Sequence, residues 1–152
     1  MRKLIIPILF LLGAMGVWAL RTPEMETHSL VSSIIFPSGV EIVVEIADTH
    51  EERLQGLSGR AELADQTGLL FLHDSSEVQR YWMKEMHFPI DLIWVQEGVV
   101  IGFVEGAQPE NPPVTIYASP APVDSVLEVS AGFIVENNVN VGDILDIRVM
   151  NQ

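Results

Sequence analysis

The sequence predicts a mainly β or α+β fold, a compact antiparallel barrel-like domain with two or three short helices. Short apolar runs separated by turn residues recur from Ser32 to the end of the chain, which is typical of sheet-forming domains. Helix-capping signals occur only next to short segments, so the helices are expected to be short. A chain of 152 residues is consistent with one domain, which we place at residues 32–152.

The first twenty residues differ from the rest of the chain. Arg2 and Lys3 precede an apolar run from Leu4 to Leu20, which is the layout of a secretory signal peptide with a cleavage point after Ala19. If it is not cut, the run is just long enough to serve as a membrane anchor helix. The positive residues precede the run, so we expect an extracytoplasmic domain. It would be secreted or periplasmic after cleavage, and otherwise tethered to the cytoplasmic membrane through the polar residues 21–31.

Composition excludes several classes of function. The formal net charge is −13, so the surface should repel nucleic acids and anionic lipids. We therefore expect no nucleic-acid partner, and membrane contact only through residues 1–20 if they are uncleaved. The chain has no cysteine, which excludes disulfides, thiol catalysis, cysteine-based zinc sites and a lipid-modified cysteine.

The first half of the domain begins with a predicted hairpin, in which Ile34–Phe36 and Val40–Ala47 flank a Pro-Ser-Gly turn. Thr49 and Glu52 then form a capping-box pattern, which predicts a short helix that ends before Gly56. Three further elements are expected before residue 90: a helical turn at Ala61–Gln66 and strands at Leu69–Leu72 and Val78–Met86.

The second half begins with another predicted hairpin, formed by Asp91–Val95 and Val99–Val104. The proline-rich segment 106–122 should be an ordered excursion, because strands still follow it. The remaining elements are a strand at Val126–Val129, a helical turn at Ala131–Asn137 capped by Ser130 and stopped by a left-handed Asn138, and a strand at Ile144–Met150.

Ionic residues inside the apolar stretch Tyr81–Val95 indicate a site. An unpaired buried charge costs several kcal/mol or more, so Lys84 and Asp91 need partners. One hypothesis is a structural ion pair, Lys84–Asp91 or Arg60–Asp91, with Glu128 as a third candidate partner. The other is a small polar pocket walled by Trp82, in which Arg60 or Lys84 faces a ligand anion. Strand alternation would put Trp82, Lys84 and Met86 on one face.

The usual catalytic and metal-binding motifs are incomplete. The segment 56–60 lacks the final glycine of a G-x-S-x-G elbow because Arg60 occupies that position, so Ser58 is better explained by a tight turn that places Arg60. The four histidines show no zinc motif, and the pairs His73-Asp74 and His87/Asp91 could bind a metal only if the fold brought them together. We therefore predict no catalytic residue, metal or cofactor.

Five sequence blocks stand out by their order and spacing: VEIADTHEERLQGLSGR (44–60), GLLFLH (68–73), YWMKEMHFPIDLIWV (81–95), VLEVSAGF (126–133) and VGDIL (141–145). Taken together, they resemble the family called Domain of Unknown Function 192. The resemblance implies a compact, mostly β fold, often behind a signal peptide or anchor, and no settled activity. Members often have asparagine-threonine where this chain has Glu85-Met86. The matching motif positions are Gly56, Arg60, Gly68, Phe71, Trp82, Lys84, Pro89, Asp91, Glu128 and Gly132.

Three functions remain open at this stage. The first is a secreted or membrane-tethered binding module for a small polar ligand, such as a sugar or a carboxylate, or for a peptide segment. Its candidate ligand-binding residues are Arg60, Trp82, Lys84, Asp91 and Glu128. The second is a structural accessory protein that contacts a cell-envelope partner. The third is a hydrolase- or lyase-type enzyme with Asp91 or Glu128 as base, and the lack of a nucleophile motif favours binding over this one.

Overall fold

The computed structural model describes residues 31–110 and 114–150. The predicted signal or anchor segment 1–20 and most of the tether 21–31 lie outside the described residues. Among the described residues, no helix is both long enough and apolar enough to cross a membrane. The elements are β1 (Ser33–Ile35), β2 (Glu41–Ala47), α1 (His50–Gln55), β3 (Thr67–Glu77), β4 (Arg80–Tyr81), β5 (Ile90–Gln96), β6 (Val99–Ala107), β7 (Tyr117–Ala118), β8 (Val123–Ser130), α2 (Phe133–Glu136) and β9 (Asp146–Arg148).

Seven of these strands form one sheet, curled into a half-barrel, in the order β6-β5-β8-β3-β2-β1-β9. The strands β4 and β7 form a separate antiparallel ribbon. The mainly β prediction is confirmed, but a wholly antiparallel sheet is wrong, because β2 and β3 pair in parallel. The connection between them contains α1 and carries the chain back to the end of the sheet at which β2 begins, as a parallel pair requires.

The locally encoded elements agree with the prediction. Both hairpins form, β1 with β2 and β5 with β6. The capping box of α1 is complete: the Glu52 amide donates to Thr49 Oγ1 at 3.2 Å, and the Thr49 amide donates to Glu52 Oε2 at 3.0 Å. Gly56 ends the helix with φ of 50°, and Asn138 adopts the predicted left-handed conformation with φ of 53°.

Other expected elements are wrong. Residues Ala61–Gln66 are not helical, and the strand expected at Val78–Met86 is limited to Arg80–Tyr81. After Tyr81 the chain turns, with the Met86 amide donating to the Met83 carbonyl at 3.3 Å. Because Met83 and Met86 are both buried while Trp82 is 56% exposed, strand alternation does not hold here.

Two apolar cores lie on the two faces of the sheet. The first core packs under α2, and its members include Ile34, Phe36, Ile42, Val44, Leu70, Ile93, Leu127, Val129 and Ile134. The second core lies on the other face, and its members include Ala47, Leu57, Leu69, Phe71, Met83, Met86, Ile90, Leu92, Trp94 and Val126. The 56–60 loop and the 82–86 turn therefore each contribute side chains to the second core, through Leu57 and through the two methionines.

Candidate functional site

A row of four side chains crosses the sheet on the face of the second core. Glu45 of β2 is in register with Leu69 of β3, Leu69 with Glu128 of β8, and Glu128 with Leu92 of β5. Residues in register on neighbouring strands project from the same face of a sheet. Glu128 is therefore a carboxyl group set between two leucines of an apolar core.

Glu128 is buried, with 6% of its surface exposed. Its Oε2 atom has no hydrogen-bond partner among the described residues. Burial raises the pKa of Glu128 to about 8, and the nearby charge of Arg60 only partly opposes this. At pH 7 Glu128 is thus mainly a neutral carboxylic acid, which can both donate and accept a hydrogen bond.

Arg60 lies beside this acid and forms a two-pronged ion pair with Glu45. The two guanidinium-to-carboxylate distances are 2.6 and 2.8 Å, and the side chains are 36% and 60% exposed. The pair lowers the pKa of Glu45 and raises that of Arg60. Arg60 also interacts electrostatically with Glu128, so a part-exposed ion pair lies within electrostatic reach of the buried carboxyl.

The turn that positions Arg60 depends on two glycines, as the sequence predicted. Gly56 and Gly59 have φ of 50° and 77°, a region that favours glycine. The Gly59 amide donates to the Glu85 carbonyl at 2.9 Å, and the Ser58 hydroxyl donates to the Lys84 carbonyl at 3.0 Å. The turn is thereby attached to the 82–86 turn, and Ser58 serves this attachment.

Tyr81 forms the aromatic wall of the site. Its ring packs edge-on against Phe71 and Trp94, at centroid distances of 5.0 and 5.6 Å, and its hydroxyl lies 3.2 Å from His73 Nε2. Burial, and then the charge of Glu128, raise the pKa of Tyr81 far above its usual value. Burial, and then the charge of Arg53, lower the pKa of His73. Tyr81 is therefore an uncharged phenol near the Glu128 carboxyl.

Trp82 and Lys84 lie at the solvent-exposed tip of the 82–86 turn, beside the Arg60 loop. The Lys84 ammonium is 3.8 Å from Glu85 Oε1, with both side chains exposed. Met83 and Met86 hold the turn by packing into the second core. The turn thus presents an aromatic ring and a cation to solvent while its apolar side chains are buried.

Asp91 lies away from this cluster. It is in register with Val129, a member of the first core, and is fully buried. Its Oδ1 accepts from the Gly106 amide at 2.7 Å, and its Oδ2 accepts from the Gly132 and Ile134 amides at 3.1 and 2.9 Å.

Two predictions from the sequence are therefore wrong, one about Asp91 and one about Ser130. The expected ion pairs of Asp91 with Lys84 or Arg60 are not formed, because backbone amides take their place. The expected Ser130 cap is also absent, since Gly132 is the N-cap residue of α2 and no side chain of the cap makes a hydrogen bond. Instead, the Asp91 carboxylate of β5 accepts from the Gly132 and Ile134 amides.

The structure thus places Arg60 within electrostatic reach of Glu128 without a hydrogen bond between them. It sets Trp82 and Lys84 on a turn attached to the Arg60 loop, and it separates Asp91 from them. Sequence reasoning missed Glu45 and Tyr81. Glu45 alternates with apolar residues like any exposed strand residue, and only its parallel register with Leu69 places it in the row. Within the described ranges 31–110 and 114–150, no group of three or more His, Asp or Glu side chains could hold a metal ion.

Comparison with known proteins gives a family and a fold. The model of the family DUF192, described as "Uncharacterized ACR", matches residues 34–147. A crystal structure of a candidate transcription regulator from Sinorhizobium meliloti 1021 is similar, with 31% identity, a TM-score of 0.70, and coverage of 76% of this chain and 91% of that one. A protein of unknown function from Novosphingobium aromaticivorans DSM 12444 has 28% identity and a TM-score of 0.68, over 76% of this chain and 83% of that one. No curated protein matches the chain.

Proposed function

We propose that this chain, which belongs to the DUF192 family, is an extracytoplasmic binding module for a small polar ligand, with Glu128 at the centre of its site. The observation that carries the proposal is the Oε2 atom of Glu128, which is buried in an apolar core and has no hydrogen-bond partner in the described part of the chain. Leaving a buried polar atom without a hydrogen bond costs about 1–3 kcal/mol. Such a cost is typical of a group kept for a ligand rather than for the fold.

The surrounding side chains fit a binding role. Arg60 and Glu45 form a compensated ion pair within electrostatic reach of Glu128. Trp82, exposed on the adjoining turn, can pack against an apolar face of a ligand, and Lys84 is an exposed donor beside it. Asp91 is not part of the proposed site, because both of its oxygens already accept backbone hydrogen bonds.

The test is native mass spectrometry of the full chain isolated from the cells that naturally express it. We expect the wild type to carry a small molecule that is lost in Glu128→Leu, a change that keeps the side chain's bulk and removes its polar atoms. Glu105→Leu is the matched control, because Glu105 is an exposed glutamate of β6. Wild type free of ligand, or equal retention in both variants, would favour the structural envelope accessory role. Protease treatment of intact and permeabilised cells tests the extracytoplasmic location, which requires digestion without permeabilisation.

A hydrolase or lyase is the second candidate, and the raised pKa of Glu128 favours it. A carboxylic acid that is still protonated at pH 7 can act as a general acid, and its conjugate base can accept a proton. Of the two acids that the sequence suggested, only Glu128 has a free oxygen. This role requires that Glu128→Gln bind the copurified molecule but no longer convert it.

A role as a DNA-binding transcription regulator, suggested by the description of the Sinorhizobium relative, does not fit the charge of this chain. Transcription regulators that bind DNA need a cationic surface to neutralise phosphates. The net charge of −13 opposes that contact, so a small ligand is the better proposal.

A further inference from the structure

We infer that the ligand carries a primary ammonium group, which sits against the Glu128 carboxyl as its counter-ion. This inference rests on the proposed function and specifies the chemical class of the ligand. Two observations support it: Arg60 is already paired with Glu45, and the buried Glu128 carboxyl has an oxygen without a partner among the described residues.

Arg60 is the cation whose charge acts on Glu128, and it is already engaged. Its guanidinium donates two short hydrogen bonds to the Glu45 carboxylate, in the planar geometry that makes arginine–carboxylate pairs strong. An incoming anion would have to displace Glu45 and then lie beside two acids. The compensated pair therefore makes an anionic ligand the unfavourable choice.

Glu128 is the group in the site without a counter-charge of its own. Its Oε2 is enclosed and accepts no hydrogen bond from the described residues. An ammonium group supplies N–H donors to a carboxylate and neutralises it at the same time. A hydroxyl or amide ligand would supply a hydrogen bond but no charge.

The uncharged Tyr81 and the net charge of the chain also suit a cationic ligand. Tyr81 interacts electrostatically with Glu128 and is uncharged, so it adds no competing negative charge beside the carboxyl. Trp94 and Phe71 pack against this ring. The net charge of −13 attracts cations from solution over long distances.

Binding of an ammonium should release a proton. The charged and titratable groups that act on Glu128, or pair with one that does, are Arg60 of the 56–60 loop, its partner Glu45 of β2, and Tyr81 of β4. On β3 and β5 its neighbours in register are the apolar Leu69 and Leu92. Glu45 and Arg60 stay ionised, and Tyr81 stays neutral. Glu128 changes from acid to carboxylate when a cation arrives, so close to one proton leaves per ligand at pH 7.

The experiment uses one four-carbon scaffold with three charges: butylamine, 1-butanol and butyrate, titrated into the full chain. Calorimetry in two buffers of different ionisation enthalpy counts the protons released, and NMR locates binding at Glu128 and Tyr81. We expect butylamine to bind about tenfold more tightly than butanol, with proton release, and butyrate to be the weakest. Glu128→Gln should weaken butylamine about tenfold and leave butanol unchanged, while Glu105→Gln should change neither.

Three results would overturn the ammonium assignment: equal binding of butylamine and butanol, butylamine binding unchanged in Glu128→Gln, or binding without proton release. Failure of all three compounds to bind would also overturn it. The proposed binding function still holds after such a result if native mass spectrometry finds a molecule whose retention depends on Glu128. If the wild type carries no such molecule, both the ammonium assignment and the proposed function are wrong.

Discussion

Asp91 and Glu128 lie on adjacent strands one register step apart, and their carboxyl groups point to opposite faces of the sheet. Asp91 is in register with Val129, and Glu128 with Leu92. Both acids are buried, but backbone amides satisfy Asp91 while one oxygen of Glu128 has no partner among the described residues. The same pair of strands therefore holds one acid that stabilises the fold and one that is available to a ligand.

Asp91→Ala is expected to lower the free energy of unfolding by about 3 kcal/mol or more. The substitution leaves the amides of Gly106, Gly132 and Ile134 without their acceptor, and each buried unpaired group costs about 1–3 kcal/mol. Urea denaturation of the full chain measures the loss. Asp65→Ala is the control, because Asp65 is exposed and should change stability by less than about 0.5 kcal/mol. Similar small losses in both variants would contradict a structural role for Asp91.

Glu128 should make the domain less stable as the pH rises. Its pKa increases from 4.5 to about 8 on folding, so the native state holds the proton more tightly than the unfolded state. The stabilisation is complete below pH 4.5 and is lost as the pH passes through 8. Between pH 5 and 9, the wild type should lose roughly 4 kcal/mol relative to Glu128→Gln, which has no proton to lose.

Urea midpoints of the two proteins at intervals of one pH unit provide the comparison, because every other titrating group is shared. Glu105→Gln serves as the second reference and should follow the wild type at every pH. Parallel curves for the wild type and Glu128→Gln would mean that Glu128 ionises normally, and would remove the physical basis of the site.

The local parts of the fold could be predicted from the sequence, and the long-range parts could not. The Pro-Ser-Gly hairpin, the Thr49–Glu52 capping box and the left-handed Asn138 are set by residues within a few positions. The parallel pairing of β2 with β3 depends on where the intervening chain returns, which no periodicity encodes. This pairing is what places Glu45 in the row that contains Glu128.

The sequence named candidate residues for the site but did not give their partners. Lys84 and Asp91 were expected to pair because both lie in an apolar stretch. The turn after Tyr81 puts Lys84 in solvent, and the strand pleat turns Asp91 toward α2. A turn stabilised by two buried methionines has the same apolar content as a strand, so the sequence alone does not separate them.

The Arg60–Glu45 pair should contribute little to the free energy of unfolding, whereas Arg60 should lower the pKa of Glu128. Both side chains are at least one-third exposed, so a double-mutant cycle with Arg60→Ala and Glu45→Ala should give a coupling of about 0.5–1 kcal/mol. Arg60→Ala should also raise the pKa of Glu128 further, because Arg60 favours its charged form. Titration of the Glu128 carboxyl carbon by NMR measures that shift. A lower pKa in Arg60→Ala would show that the two groups do not interact as described.

Trp82 and Met83 are neighbours in the chain, but truncating Met83 should lower stability, whereas truncating Trp82 should weaken ligand binding. Met83 is 3% exposed in the second core, whereas Trp82 is 56% exposed. Met83→Ala should cost about 2–5 kcal/mol of stability, because it leaves a cavity in a packed core. Trp82→Ala should change stability by about 0.5 kcal/mol or less and instead weaken binding of the copurified ligand. Thermal unfolding and native mass spectrometry of both variants separate the two effects. A large loss of stability in Trp82→Ala would assign its ring to the fold, and the aromatic contact at the site would then have to come from Tyr81 alone.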